Sequence, residues 1–251
     1  MKTAVIHSYN GMGDLIWHLP YIHALAKQTE EEKIILFSKK TTNAQELLSA
    51  DPYIDKIINL DDTRGIFTNL FSFFKISKSL KENNIEKLWI FHESIKYALA
   101  GLVGGVKERL GYEYGLQKFF LSKRNVMPEN SRTERPFEKA RIFLDSHGIK
   151  KEKIKTNFFI EKKILKKIKK KYKKKSKPWI VISTTNKADF KKWPNERFSK
   201  LIDLILNSFK GTVFMIGSPQ EKEFVNKIIH NSKNSKKIII SCVPLNKKPR
   251  F

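Results

Sequence analysis

The chain of 251 residues contains a single cysteine, Cys242, so it has no partner for an intrachain disulfide and nothing calls for an oxidising compartment. A reducing cytoplasm is the expectation. No apolar run approaches the roughly 18 residues that a membrane-spanning helix requires. The opening stretch through Ile6 is too short, and too soon followed by polar turn residues, for a signal peptide. Membrane contact is therefore expected to be peripheral, with no export signal. His7, His18, His23, His92, His147 and His230 lack ligand-type spacing, and with one cysteine a metal site finds no support. A Gly-x-Ser-x-Gly elbow is missing too, which leaves a hydrolase of that type without its nucleophile. Acidic residues are scarce: 25 Asp+Glu face 50 Lys+Arg, for a formal net charge of +25.

What is present excludes global disorder, because 40% hydrophobic residues supply enough apolar surface to offset the entropy of ordering. The length suits one to two domains with a substantial core. Charge is unevenly placed. Residues 1–150 hold 22 Lys+Arg and 18 Asp+Glu, so residues 151–251 hold 28 and 7. Between Glu161 and Lys175, ten of fifteen residues are lysine, while Ile164, Leu165, Ile168 and Tyr172 keep helical spacing. This predicts a basic amphipathic helix, with three readings open: a solvated helix between domains, a face for an anionic membrane surface, or a nucleic-acid contact. No nucleic-acid-reading motif accompanies it, so no specific nucleic-acid partner is expected.

Along the chain, an apolar run over Lys2 to Ser8 leads through Asn10-Gly11-Met12-Gly13-Asp14 into helical periodicity over Leu15 to Lys27, a strand, glycine turn and helix. Further strands are predicted at Lys33 to Ser38, Lys56 to Leu60, Lys87 to His92 and Glu108 to Tyr112. Helices are predicted at Thr42 to Ser49, Phe71 to Asn83, Tyr97 to Val103 and Arg135 to His147. The alternation implies an α/β fold with a parallel sheet. Beyond Pro178 the pattern restarts: strands at Trp179 to Ser183, Thr212 to Ile216 and Lys237 to Ser241 enclose helices at Asn195 to Ser208 and Gln220 to His230. The expected division is 1–160, a Lys-rich helix or linker at 161–177, and 178–251, the last about half of a full doubly wound sheet.

Three strand-to-helix turns carry the candidate chemistry. At the first, Gly11 and Gly13 let backbone approach a ligand, but Gly-x-Gly-Asp lacks the third glycine of a dinucleotide fingerprint. Asp14 there suits a helix first turn, and equally a general base facing a cleft. The second, Ser183 to Pro194, joins hydroxyls (Thr184, Thr185) and lysines (Lys191, Lys192) at a helix start, which fits a diphosphate or a plain surface loop. Trp193 is expected to pack against the sheet. The third, Gly217-Ser218-Pro219-Gln220-Glu221, offers Glu221 either to a ligand or to the helix start.

Taken together, His7-Ser8-Tyr9-Asn10-Gly11-Met12-Gly13-Asp14-Leu15-Ile16-Trp17-His18-Leu19-Pro20 and Asp51-Pro52-Tyr53-Ile54-Asp55-Lys56-Ile57 resemble glycosyltransferase family 9, the lipopolysaccharide heptosyltransferases. Thr184-Thr185, Lys191-Lys192-Trp193-Pro194-Asn195-Glu196-Arg197-Phe198 and Ile216-Gly217-Ser218-Pro219-Gln220-Glu221 resemble its second domain. The resemblance implies a GT-B-like fold: two Rossmann-like parallel-sheet domains facing a cleft, the first for a lipid-linked acceptor and the second for a nucleotide sugar. It further implies an inverting, metal-independent glycosyltransferase that moves a heptose or related sugar from an ADP-sugar to a lipopolysaccharide core, lipid A-type or related surface-glycan acceptor. No cofactor is implied, the nucleotide sugar being a substrate. By the same resemblance Asp14 is the base, Gly11 and Gly13 lie at the substrate, Thr184, Thr185 and Lys191 or Lys192 hold the diphosphate, and Glu221 meets the nucleoside. The expected location is cytoplasmic, peripheral at the inner face of a bacterial inner membrane. The family's Asp-Ser/Thr-Gly-x-x-His motif is not reached before Phe251. The second domain is therefore expected to be incomplete and C-terminally truncated, and a non-catalytic acceptor-binding or interaction remnant is the alternative.

Overall fold

A computed structural model describes residues 1–60, 66–123, 127–149, 157–184 and 193–242. The chain divides into two compact units, Met1–Glu161 and Lys162–Phe251.

In the first unit, β1 (Thr3–His7), β2 (Ile34–Lys39), β3 (Ile54–Leu60), β4 (Lys87–Phe91) and β5 (Glu108–Gly111) form one parallel sheet in the order β3-β2-β1-β4-β5. Each pair is linked through at least one helix: α1 (Met12–Ala26), α2 (Ala44–Leu47), α3 (Ile66–Glu82) and α4 (Ile95–Val103), with α5 (Pro136–Ser146) following β5. Side chains alternate across each strand, so the apolar runs divide between two faces. Val5, Leu36, Trp89, Phe91 and Leu110 pack with Leu15, Leu19 and Ile22 of α1 and Phe143 of α5. Ala4, Ile6, Ile35, Phe37, Leu88 and Ile90 pack with Ile76 and Leu80 of α3 and Tyr97 and Ala98 of α4. Successive crossovers run outward from β1 to β3 and then resume on the other side at β4. That reversal opens a crevice at the carboxyl end of β1, where open α/β sheets bind ligands.

The Asp51-Pro52-Tyr53 stretch has a structural part in this unit. Asp51 Oδ2 accepts from His23 Nε2 of α1 at 2.8 Å, and its Oδ1 accepts from the Tyr53 amide at 3.0 Å. The buried pair ties α1 to the start of β3 and occupies both carboxylate oxygens.

The second unit begins with α6 (Lys162–Lys171), shorter than the lysine-rich stretch itself. Then β6 (Trp179–Ser183), β7 (Thr212–Gly217) and β8 (Ile238–Cys242) lie side by side in chain order, all parallel. Both α7 (Asn195–Ser208) and α8 (Lys222–His230) cover one face, where Phe198, Ile202, Leu206, Val225 and Ile228 bury Ile182, Val213 and Met215. On the opposite face, Tyr172 and Trp179 pack their rings against Phe214, with centroids 4.9 Å and 5.7 Å away, while Val181 is 60% exposed.

Candidate functional site

The turn after β1 is built around Gly11, which takes φ 93°, a conformation that L side chains rarely adopt. This conformation lets α1 begin at Met12 without a side-chain cap. Asp14 falls in the first turn, half-buried, where the helix dipole favours an acid. A methyl group placed on Gly11 would lie 3.8 Å from Asp14 Oδ2, so the carboxylate sits beside the glycine turn. At Gly13 a side chain would meet nothing within 4 Å. Packing within the described residues therefore does not require a glycine there, and the open space beside Asp14 is available to a ligand.

Behind this turn lies a polar cluster of His7, Tyr9 and His18, in which His18 Nε2 also faces the Pro136 carbonyl at 3.3 Å. His18 Nδ1 is 2.6 Å from the main-chain oxygen of Asp14, which requires the proton on that nitrogen. His7 Nε2, 3.3 Å from the same atom, faces it as an acceptor. Burial, reinforced by the neighbouring His18, holds the His7 imidazole down at about 3. Burial also lowers His18. Tyr9 stacks on the His18 ring, with centroids 5.0 Å apart, and its hydroxyl is pushed up to about 12 by burial.

The neighbouring strand ends complete the edge. Lys39, closing β2, donates from Nζ to Asn10 Oδ1 at 3.0 Å. Ser8 Oγ and the Tyr97 hydroxyl are 2.6 Å apart. After β4, His92 Nδ1 accepts from the Ser94 amide at 3.0 Å, leaving Nε2 to carry the proton in the neutral ring. Burial first, and then the charge of Lys39, lower the His92 imidazole. Gln117 Nε2 donates to the His92 carbonyl at 2.7 Å and so fixes this turn. Ser8, Lys39, His92, Ser94, Lys96 and Tyr97 line the polar side of a cavity of about 540 Å³, and Leu70, Phe73 and Leu99 its apolar side. Among the described residues the lining contains two ammonium groups and no carboxylate, a set suited to an anionic ligand that also carries an apolar or ring surface.

In the second unit, Thr184 follows β6 and is only 3% exposed. Its Oγ1 has no hydrogen-bond partner among the described residues. Thr185, Lys191 and Lys192 lie outside the described residues. Trp193 packs edge-to-face on Phe198 of α7 at 5.0 Å. Beyond β7, Glu221 and Ser218 form a reciprocal capping box: the Glu221 carboxylate accepts from the Ser218 amide and the Ser218 hydroxyl accepts from the Glu221 amide. Gly217 lies beside it: a Cβ there would stand 2.9 Å from Glu221 Oε2 and would displace the capping carboxylate. Of the two roles open to Glu221, support of the helix start is thus visible in the geometry.

Sequence reasoning placed Asp14, Gly11 and Gly13 at the carboxyl end of one strand, but it missed Lys39, His92, Lys96 and Tyr97. Their signal is positional: Lys39 closes β2 and His92 follows β4, the two strands that flank β1. These four side chains, from three separate segments, converge only once that strand order is known.

A family model described as glycosyltransferase family 9 (heptosyltransferase) matches residues 73–246. Among solved structures, the chain is similar to ADP-heptose lps heptosyltransferase II of E. coli, with TM-score 0.72, 18% identity and coverage of 96% of this chain and 72% of that one. It is similar to a family 9 glycosyl transferase from Veillonella parvula DSM 2008, with TM-score 0.75, 16% identity and coverage of 96% and 69%. It is also similar to E. coli heptosyltransferase WaaC with ADP-2-deoxy-2-fluoro heptose, with TM-score 0.70, 15% identity and coverage of 97% and 77%. No curated protein matches the chain. At these identities the likeness is one of fold.

Proposed function

Because the chain belongs to glycosyltransferase family 9, the heptosyltransferase family, we propose that it moves a heptose or related sugar from an ADP-linked donor to a hydroxyl of an anionic, lipid-linked acceptor of the lipopolysaccharide-core type. The observation that carries this reading is the position of Asp14, beside the Gly11 turn and the open space at Gly13, at the carboxyl end of β1. A carboxylate there can take the proton of an acceptor hydroxyl as its oxygen attacks the anomeric carbon. The carbon–oxygen bond to the β-phosphate breaks as the new bond forms, the electron pair leaves with ADP, and attack from the opposite side inverts the anomeric centre.

In this proposal the first unit receives the acceptor. The cavity beside β1 and β4 supports it, since Lys39 and Lys96 can meet acidic groups while Leu70, Phe73 and Leu99 meet the rest of the molecule. The second unit receives the donor. Thr184, buried without a partner for Oγ1 among the described residues, supports a polar ligand at the end of β6. Thr185 and Lys191 or Lys192 are assigned with it to the diphosphate, where positive charge and hydroxyls rather than a metal ion neutralise the leaving group. Glu221 is assigned to the nucleoside. The proposal includes action in the cytoplasm, at the inner face of a bacterial inner membrane.

The test is incubation of the full chain with ADP-heptose and a lipid A-type acceptor carrying a free core hydroxyl, read by mass spectrometry. An acceptor heavier by one heptosyl residue, with one ADP released per product, is the expected result. ADP release without acceptor modification, or no turnover at all, contradicts the proposal.

A further inference from the structure

We infer that α6 is an interfacial helix that lays its apolar stripe on an anionic lipid bilayer. Ile164, Leu165, Ile168 and Tyr172 fall on an arc of about 100° at 3.6 residues per turn, and the lysines of the helix occupy the remainder. No residue of α6 is buried. Ile164 is 48% exposed and Leu165 42% exposed, so the packing that an amphipathic helix ordinarily finds against its own domain is missing along most of the stripe. The stripe is anchored towards its end, where Ile168 is half-buried and the Tyr172 ring meets Phe214 and Trp179, and Val181 on the same sheet face is exposed.

Charge selects the occupant. Residues 162–177 contain eleven lysines and no acidic residue, a density that favours a surface with many negative charges over a protein with a few. A nucleic acid would satisfy the lysines, but it offers no apolar phase to Ile164, Leu165 and Ile168, and the aromatic residue that continues the stripe, Tyr172, is packed on Phe214 and Trp179. An anionic bilayer satisfies both faces: headgroups for the lysines, acyl chains for the stripe. Among the described residues no helix is long and apolar enough to cross a membrane, so the contact is with the surface. It rests on α6 alone and is read without donor or acceptor, so its failure leaves the transferase reading standing and the reverse holds too.

The experiment sediments the full chain with vesicles of phosphatidylcholine alone and with vesicles that also contain phosphatidylglycerol. Binding to the mixed vesicles only is expected, with partitioning reduced about tenfold or more by Ile164→Asp with Leu165→Asp and also by Lys163→Glu with Lys166→Glu and Lys170→Glu. A second readout is tryptophan emission from Ile168→Trp, which should shift to the blue only with the anionic vesicles. Unchanged sedimentation of the stripe variant, or no blue shift, overturns the inference. Tighter binding to single-stranded RNA that the stripe variant retains in full also overturns it, and assigns α6 to nucleic acid.

Discussion

His18 Nδ1 donates to the main-chain oxygen of Asp14 across 2.6 Å, so the turn that carries the proposed base is held by a side chain one helical turn further on. His18 touches no reacting atom in this account; it positions Asp14.

His18→Leu removes the donor, and His18→Asn keeps an N–H near the position of Nδ1. Loss of one buried hydrogen bond is worth about tenfold in turnover. We expect kcat to fall by that factor in the leucine variant, to recover in the asparagine variant, and KM for the donor to stay within about twofold in both. Equal kcat values for the two variants would show that the ring serves packing alone.

Lys39 and Lys96 line one cavity although they come from different segments, β2 and α4. Substituting either with alanine should raise KM for an anionic acceptor about tenfold, since hydrogen bonds to charged groups are the stronger ones. Affinity for the donor should not move. Acceptor titrations at fixed donor, set beside calorimetric titration of ADP, separate the two. A loss confined to the donor side would remove the acceptor from this cavity.

Buried histidines give the stability a direction in pH. His7 ordinarily titrates near 6.5 and is held at about 3 in the fold. Between those values the unfolded chain binds a proton that the native chain does not, so stability is full above about 6.5 and falls as the pH drops, by about 1.4 kcal/mol per pH unit for this one group. His18, His92 and His147 are lowered as well and act in the same direction. Denaturant midpoints taken from about pH 7 down to about pH 4 should fall more steeply for the native sequence than for His7→Leu. Parallel slopes would show that His7 carries a proton in the native state.

Much of the fold was legible because short apolar runs and punctuation residues coincide. The run at Ala4 to Ile6 followed by two glycines and an acid marks β1 and α1, and all five strands of the first sheet fall within a few residues of their expected places. The element starts were less legible, for local reasons. Gly11 lets α1 begin at Met12 rather than Leu15, and the Ser94 hydroxyl, accepting from the Lys96 amide, starts α4 at Ile95 rather than Tyr97. The single helix expected over Gln220 to His230 is a 3₁₀ turn at Pro219–Glu221 followed by α8, because the capping box tightens its start. The lysine helix ends at Lys171, where only Tyr172 continues the apolar stripe. For the site, Asp14 and the glycines could be read from adjacency, whereas His7 and His18, eleven residues apart, meet only when α1 folds back along β1. The Lys39 and Lys96 pairing needs the strand order, which periodicity along one chain does not carry.

Glu221 has a visible structural role and a proposed ligand role, and two variants separate them. Ser218→Ala and Glu221→Ala each remove one half of the capping box and should each lower the stability of the second unit by about 1 kcal/mol. If Glu221 also meets the nucleoside, only its variant weakens ADP. We expect that asymmetry in calorimetric titration. Equal ADP affinities in the two variants would leave Glu221 a helix-start residue only.

Removal of the acceptor proton by the Asp14 carboxylate is the central step of the proposed transfer. It is tested by single-turnover transfer from ADP-heptose in Asp14→Asn, with donor affinity measured on the same preparation. Asparagine fills the same space beside Gly11 but cannot take a proton, so the account predicts a rate lower by about 10²–10⁴ with donor affinity unchanged. Transfer at the native rate would contradict it and move the base elsewhere on the edge of the sheet.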